Sequence, residues 1–193
     1  MSDTASPLLL ALREGTRHCH KGLEARMPFF SESFDLAAYR HLLAAYHGFH
    51  APLEARLSDY QGAERNKAPA LVRDLLALGL GADAIDALPL CGDLPAISDE
   101  ACALGVMYVL EGSTLGGQVL KRAMAERLGI DTEGGAAFLD VYGPLTGAHW
   151  RGFLARLAGA APCPDTQARS VRAAVETFEG FERWLDQRGV LLR

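Results

Sequence analysis

Between Tyr108 and Lys121 the chain reads Tyr-Val-Leu-Glu-Gly-Ser-Thr-Leu-Gly-Gly-Gln-Val-Leu-Lys. The surrounding residues keep a helical period, yet Gly112, Gly116 and Gly117 stand inside it. Each glycine costs a helix interior about 1 kcal/mol relative to alanine. Gly112 and Gly116 are four apart and share one face of the helix. That face carries no side chain. A helix of this kind predicts close approach of a flat ligand or of another backbone. It also permits a bend, because glycine lifts the Cβ restriction on φ and ψ.

The pattern is helical almost throughout, and the expected class is all-α, a compact multi-helix bundle forming one domain over residues 1–193. A first helix spans Pro7 to Arg26, with proline in its first turn. Met27-Pro28-Phe29-Phe30 ends it, and Ser33 to Asp35 can cap the next. The second helix spans Asp35 to Tyr60, with Tyr39, Leu42, Leu43, Tyr46, Phe49, Leu53 and Leu57 in period. A shorter third helix covers Pro69 to Leu78, and Asp83 to Ala87 forms one further turn. Leu88 to Ile97, with Pro89, Gly92 and Pro95, reads as a connector. Ser98-Asp-Glu100 starts the glycine-bearing helix. Gly134, Gly135, Gly143 and Pro144 then break the chain. The last two helices span Leu145 to Leu157 and Asp165 to Arg188.

Several function classes are disfavoured at once. A formal net charge of −5 argues against a general nucleic-acid binder. No run of about 18 apolar residues is present for a membrane span. The first residues lack the basic stretch and apolar core of a signal peptide. Cys19, Cys91, Cys102 and Cys163 form no C-x-x-C pair, which suits free thiols in a reducing, cytoplasmic setting.

All-α folds place cofactors between facing helices, so inward histidines and carboxylates are the candidates. None of the six histidines has glutamate three residues before it, and His-Glu-x-x-His is absent. His47 and His50 could share a metal but fit equally well as polar positions of the second helix. His20 stands at the edge of the apolar stripe formed by Leu8, Leu9, Leu12, Thr16, Cys19 and Leu23. Glu24 lies one turn on, able to hydrogen-bond His20 and fix its tautomer. A solvated histidine with a routine salt bridge fits that spacing as well. Arg13 lies two turns before His20 on the same face. It could pair with an anionic group of a ligand held there, or be a surface arginine.

Two segments together narrow these readings. Leu12-Arg-Glu-Gly-Thr-Arg-His-Cys-His-Lys-Gly-Leu-Glu24 resembles the proximal-helix motif of the haem oxygenases. Tyr108 to Lys121 resembles their distal helix, and the similarity is strongest to the bacterial, biliverdin-producing branch. The resemblance implies that haem is both substrate and cofactor, with His20 as the iron ligand and Glu24 orienting it. It implies that Gly112 and Gly116 bring the distal backbone over the haem face, with Gly117 adding flexibility. It further implies that Arg13 and Tyr108, with Arg151 from a later helix, meet the propionates. Ser113 falls where some members carry an aspartate that holds the catalytic water network. That network would then rest on Ser113, backbone groups and further polar residues.

The implied reaction binds O₂ opposite His20 and cleaves the ring at a meso carbon, giving biliverdin, CO and ferrous iron. A neutral histidine suits it better than a thiolate, which favours O–O cleavage; this disfavours Cys19. No dinucleotide motif is present, so electrons are expected from an external ferredoxin or reductase. A bilin-binding phytochrome is an expected recipient of the product. The alternatives are a haem-binding or trafficking protein of the same fold without turnover, and a cofactor-free helical hydrolase using Cys102 near Glu100.

Overall fold

Ser6 begins the first helix by accepting a hydrogen bond from Leu9 N on its hydroxyl, at 3.2 Å. Helix α1 then runs Pro7–Arg26, with the bounds the sequence predicts. The computed structural model describes residues 6–160 and 163–193. Six further helices follow: α2 Leu36–Arg56, α3 Ala68–Ala77, α4 Ala82–Asp86, α5 Glu100–Leu128, α6 Thr146–Gly159 and α7 Pro164–Gln187. No strand occurs among the described residues, so the all-α class is observed. None of the described helices is long and apolar enough to cross a membrane.

Helix α2 ends about a turn earlier than its apolar period suggests. The Leu57 N–H bonds the Leu53 and Glu54 carbonyls, and Tyr60 N–H turns back to Leu57. Four short 3₁₀ turns, at Pro28–Phe30, Ala63–Arg65, Phe138–Asp140 and Gly143–Leu145, lie where the sequence reads as loop. Their single-turn i→i+3 bonds leave no hydrophobic period to read. Helix α5 runs unbroken for 29 residues. The Asp99 carboxylate accepts from Cys102 N at its start, and Gly129 closes it in the left-handed region at φ 70°. Gly112, Gly116 and Gly117 all keep right-handed backbone. Their use is therefore the missing Cβ, not unusual torsion.

Helix α7 is the central packing element, lying against α1, α2 and α5. Two glycines seat it. A Cβ on Gly105 of α5 would run into the Ser170 backbone carbonyl, and one on Gly15 of α1 would strike the Val171 side chain. Leu12, Tyr39, Leu42, Phe49, Leu53, Val106, Met107 and Leu185 lie almost fully buried between these helices. Each contributes roughly 1.5–3 kcal/mol of transfer free energy.

The turn at Phe138–Asp140 is tied down from three sides. The buried Asp74 carboxylate accepts from Ala137 N and Phe138 N, both at 2.7 Å. Tyr39 Oη donates to the Gly135 carbonyl at 2.9 Å. Asp140 receives Lys121 Nζ at 2.7 Å and the Gln118 amide. These bonds place Phe138 and Leu139 against α5 and α2, where they form one end of the cavity described next.

Candidate functional site

A cavity of about 620 Å³ opens between α1, α2, α5 and α7, within the size range of small-molecule sites, about 300–1,000 Å³. Helix α1 contributes Arg13, His20 and Glu24, and α5 contributes Tyr108, Gly112, Ser113, Gly116 and Gly117. Helices α2 and α7 close the back with Tyr46, Phe49, His50, Thr177, Phe178 and Phe181. The rim is apolar: Phe30 is 63%, Val119 67% and Leu115 42% exposed. Apolar side chains this exposed around one opening mark a surface meant to be covered. A second hollow, at the junction of α5, α6 and α7, is lined by charges that satisfy one another. There Arg156 pairs with Glu100 at 3.0 Å and Arg169 with Asp99 at 2.9 Å.

On the α1 wall the His20 Nδ1 lies 3.4 Å from Glu24 Oε2, and both side chains are more than half exposed. The His20 ring meets Phe178 edge-on, with centroids 5.7 Å apart. A carboxylate on Nδ1 leaves Nε2 as the nitrogen available to a metal. Arg13 lines the same cavity; His18 and Cys19 do not. Burial pushes the Cys19 thiol above its usual value.

On the α5 wall a Cβ added to Gly112 or Gly116 would meet nothing within 4 Å. Both positions face open cavity, as the i,i+4 spacing predicts. Gly117 does something else. A Cβ there would collide with the Leu139 backbone carbonyl, so this glycine admits the Phe138–Asp140 turn against α5 and is buried in that contact. The flexibility expected of it is replaced by tight packing. Ser113 is exposed and donates its hydroxyl to the Leu110 carbonyl at 2.8 Å. Its lone pairs remain free to accept. Tyr108 is half-buried at the cavity wall. Arg151 is exposed on α6 and does not line the cavity; its neighbour Trp150 does. Helix α6 turns one residue of that pair inward and the other outward.

Polar groups that sequence periodicity reads as surface residues lie behind these walls. His50 lines the cavity with its side chain only 5% exposed, and its Nδ1 is 3.4 Å from Glu54 Oε1. Glu54 also accepts from Lys67 N at 2.8 Å and Ala68 N at 3.0 Å, at the start of α3. Burial would raise the Glu54 carboxyl, but the His50 and backbone hydrogen bonds outweigh it and hold it below its ordinary value. Lys67 is fully buried, with Nζ on Glu111 Oε1 at 2.8 Å, Tyr142 Oη at 3.1 Å and the Arg65 carbonyl at 3.0 Å. Glu111 is buried as well and takes Arg65 Nη1 at 2.6 Å and Tyr142 Oη at 2.8 Å. This cluster anchors α5 at the residue before Gly112. The signal in the sequence was Glu54 next to Leu53 within a buried stripe, one turn after His50, the same spacing as His20 and Glu24.

The comparisons with known proteins bear on this geometry. The family model described as Heme oxygenase matches residues 6–187. A haem oxygenase of Xanthomonas campestris is 33% identical over 161 residues, covering 78% of this chain and 90% of the relative. The structure of haem oxygenase from Leptospira interrogans superposes with a TM-score of 0.78 at 17% identity, covering 93% of this chain and 98% of that one. Haem oxygenase-1 from the cyanobacterium Synechocystis, solved in complex with haem, gives 0.75 at 18% identity, covering 93% and 91%. With a family model spanning nearly the whole chain and a relative at this identity, the chain belongs to the haem oxygenase family.

Proposed function

We propose that this protein cleaves haem oxidatively at a meso carbon, yielding biliverdin, CO and ferrous iron. The observation that carries the reading is the pairing of His20 with the bare Gly112–Gly116 face across one cavity. The residues present fit the ring: a slot with an apolar rim, a free imidazole nitrogen on one wall, and no Cβ on the other. Haem, when bound, supplies both the iron at which O₂ is reduced and the carbon that is cut.

His20 Nε2 would hold the iron, with Glu24 keeping the imidazole in the Nδ1–H tautomer. Gly112 and Gly116, with no Cβ and open space beside them, would let the α5 backbone approach the ring and leave room for O₂. Arg13 and Tyr108 stand at the wall to meet the acidic propionates. Ser113 accepts hydrogen bonds from water in the cavity, since its own proton is committed to Leu110. The rim residues Phe30, Leu115 and Val119 exclude bulk water once covered. The polarity and hydrogen-bonding groups of this pocket decide whether O₂ is held or activated. Electrons come from an external ferredoxin or reductase, and a bilin-binding phytochrome is a fitting recipient of the product. The reaction is placed in the cytoplasm, where thiols stay reduced.

Haemin titration followed by reductant in air tests the reading. A one-to-one complex with a sharp Soret band, decaying to a bilin spectrum in the presence of catalase, is expected. A Soret band that persists after reduction would assign the protein to haem binding without turnover. No Soret shift at all would refute the site.

A further inference from the structure

His50 and Glu54 take no part in holding the ring through its iron or its rim, yet His50 reaches the cavity from a nearly fully buried pair, and the other buried pair beside it, Lys67 with Glu111, is already committed to itself. The two side chains are 5% and 3% exposed. Placing a histidine and a carboxylate there carries a desolvation cost that packing alone does not require.

The geometry around them is directional. Glu54 takes its partners on both oxygens: His50 Nδ1 and Lys67 N on Oε1, Ala68 N on Oε2. Backbone N–H groups donate to both of its oxygens and the carboxyl is held below its ordinary value, so at neutral pH it is an ionised, acceptor-only carboxylate. It therefore requires a proton on His50 Nδ1 and directs Nε2 away from itself. Among the described residues Nε2 has no hydrogen-bond partner. The ring is held by apolar and aromatic neighbours: Phe138 edge-on at 5.3 Å, Phe181 at 6.3 Å, and Tyr46 stacked at 6.2 Å. The groups near it that can carry charge are His47 and Glu54 on its own helix and Lys67 at the start of α3, with Tyr46 as the nearest phenol. Lys67 is committed to Glu111, so it does not compete for His50. Ser113, the distal-helix residue nearest in kind, has spent its only proton on a backbone carbonyl. The back wall of the cavity therefore holds an imidazole with one nitrogen on Glu54 and the other without a hydrogen-bond partner among the described residues.

We propose that His50 is the proton-relay residue of this cavity, and that Glu54 is its positioning residue. In this role the His50 imidazolium gives its Nε2 proton to cavity water and remains as the neutral Nδ1–H imidazole bonded to Glu54. Solvent returns the proton through the same water. Oxidative ring opening consumes protons as well as electrons, so a group that delivers them inside a water-poor slot sets its rate.

The proposal rests on the haem reading, and one set of measurements separates the two. In ¹⁵N-histidine-labelled apoprotein at mildly alkaline pH, His50 is expected to carry its proton on Nδ1; an Nε2–H tautomer overturns the assignment. His50→Phe fills the volume without a nitrogen, and His50→Gln keeps a hydrogen-bonding group. His50→Phe is expected to take up haemin within about threefold of the parent affinity. It should form bilin about 10²-fold more slowly after reduction. The pH at which its ferric complex converts to the alkaline spectrum should shift by about half a unit or more. His50→Gln should recover part of both changes, and Glu54→Gln should move the same pH midpoint with haemin uptake unchanged. Parental bilin formation with an unmoved midpoint in His50→Phe overturns the proposal. So does loss of haemin uptake in both His50 variants, which would make the residue part of the binding wall. A parent that takes up no haemin ends the functional reading itself, and this proposal with it.

Discussion

Replacing Lys67 by methionine removes one charge from a pair that is 0% and 1% exposed at its side chains. Methionine matches the length of the lysine stem, so the change is close to a pure deletion of the ammonium. Breaking a buried ion pair from one side costs about 3–5 kcal/mol, because the remaining charge stays desolvated. Two partners of Glu111 survive the substitution, Arg65 Nη1 at 2.6 Å and Tyr142 Oη at 2.8 Å. The expected loss is therefore near the lower bound, about 3 kcal/mol, against a total stability of order 5–15 kcal/mol. Urea unfolding followed by far-ultraviolet circular dichroism reads it as a lower midpoint at unchanged slope. The double variant Lys67→Met with Glu111→Gln removes both charges of this pair and leaves only the Arg65 guanidinium, 17% exposed, without its Glu111 partner, so it should regain about 1 kcal/mol of that loss. A loss below about 1 kcal/mol in the single variant, with no gain in the double, would refute the view that this pair anchors α5 beside its glycines.

Further outcomes follow from individual residues. Gly112→Ala should stabilise the apoprotein by about 1 kcal/mol, whereas Gly117→Ala should cost about 1–3 kcal/mol because its Cβ meets the Leu139 carbonyl; thermal unfolding of both checks the opposed signs, and equal effects would remove the distinction. Gly112→Leu should fold as the parent does yet bind haemin about tenfold more weakly or worse; an unchanged titration would argue against close approach at α5. His20→Ala should abolish the parental Soret spectrum, and added imidazole should restore it; an unaltered spectrum in the variant would place the iron ligand elsewhere. Glu54 is held below its ordinary pKa of 4.5, so its stabilising contribution is complete above about that pH and is lost as pH falls through the lower folded value. Glu54→Gln should therefore flatten the decline of the melting temperature below pH 4.5, and parallel curves for variant and parent would contradict this sign.

The helix order and the bare face of α5 were legible because periodicity and glycine spacing are local properties. Residues 7–26 needed only Ser6, Pro7 and a clean stripe to be bounded. Gly112 and Gly116 share a face by geometry alone, and their open environment agrees with it. Gly117 was misread because the object filling the space beside it, the Leu139 carbonyl, lies more than twenty residues away in the chain. Gly105 went unremarked for the same reason, since Ser170 is its neighbour only after α7 folds back. Lys67 and Glu111 are 44 apart in sequence, and each alone looks like a solvated charge. Arg151 was expected from the resemblance alone, with no motif around it to anchor the position, and on α6 it is its neighbour Trp150 that lines the cavity.

The seat of α7 has a mechanical consequence. Ser170 lies against Gly105 of one wall and Val171 against Gly15 of the other. Consecutive residues of a single rigid rod thus act as a gauge block between the two jaws of the slot. Interiors are packed too densely for such a block to yield by a methyl group without shifting what it touches. The thickness of the gap is accordingly written at positions 170 and 171, which never meet what fills it. Changing the size of the Val171 side chain, or adding a Cβ at Gly105 against the Ser170 carbonyl, would reset the jaw spacing while leaving every lining residue in place.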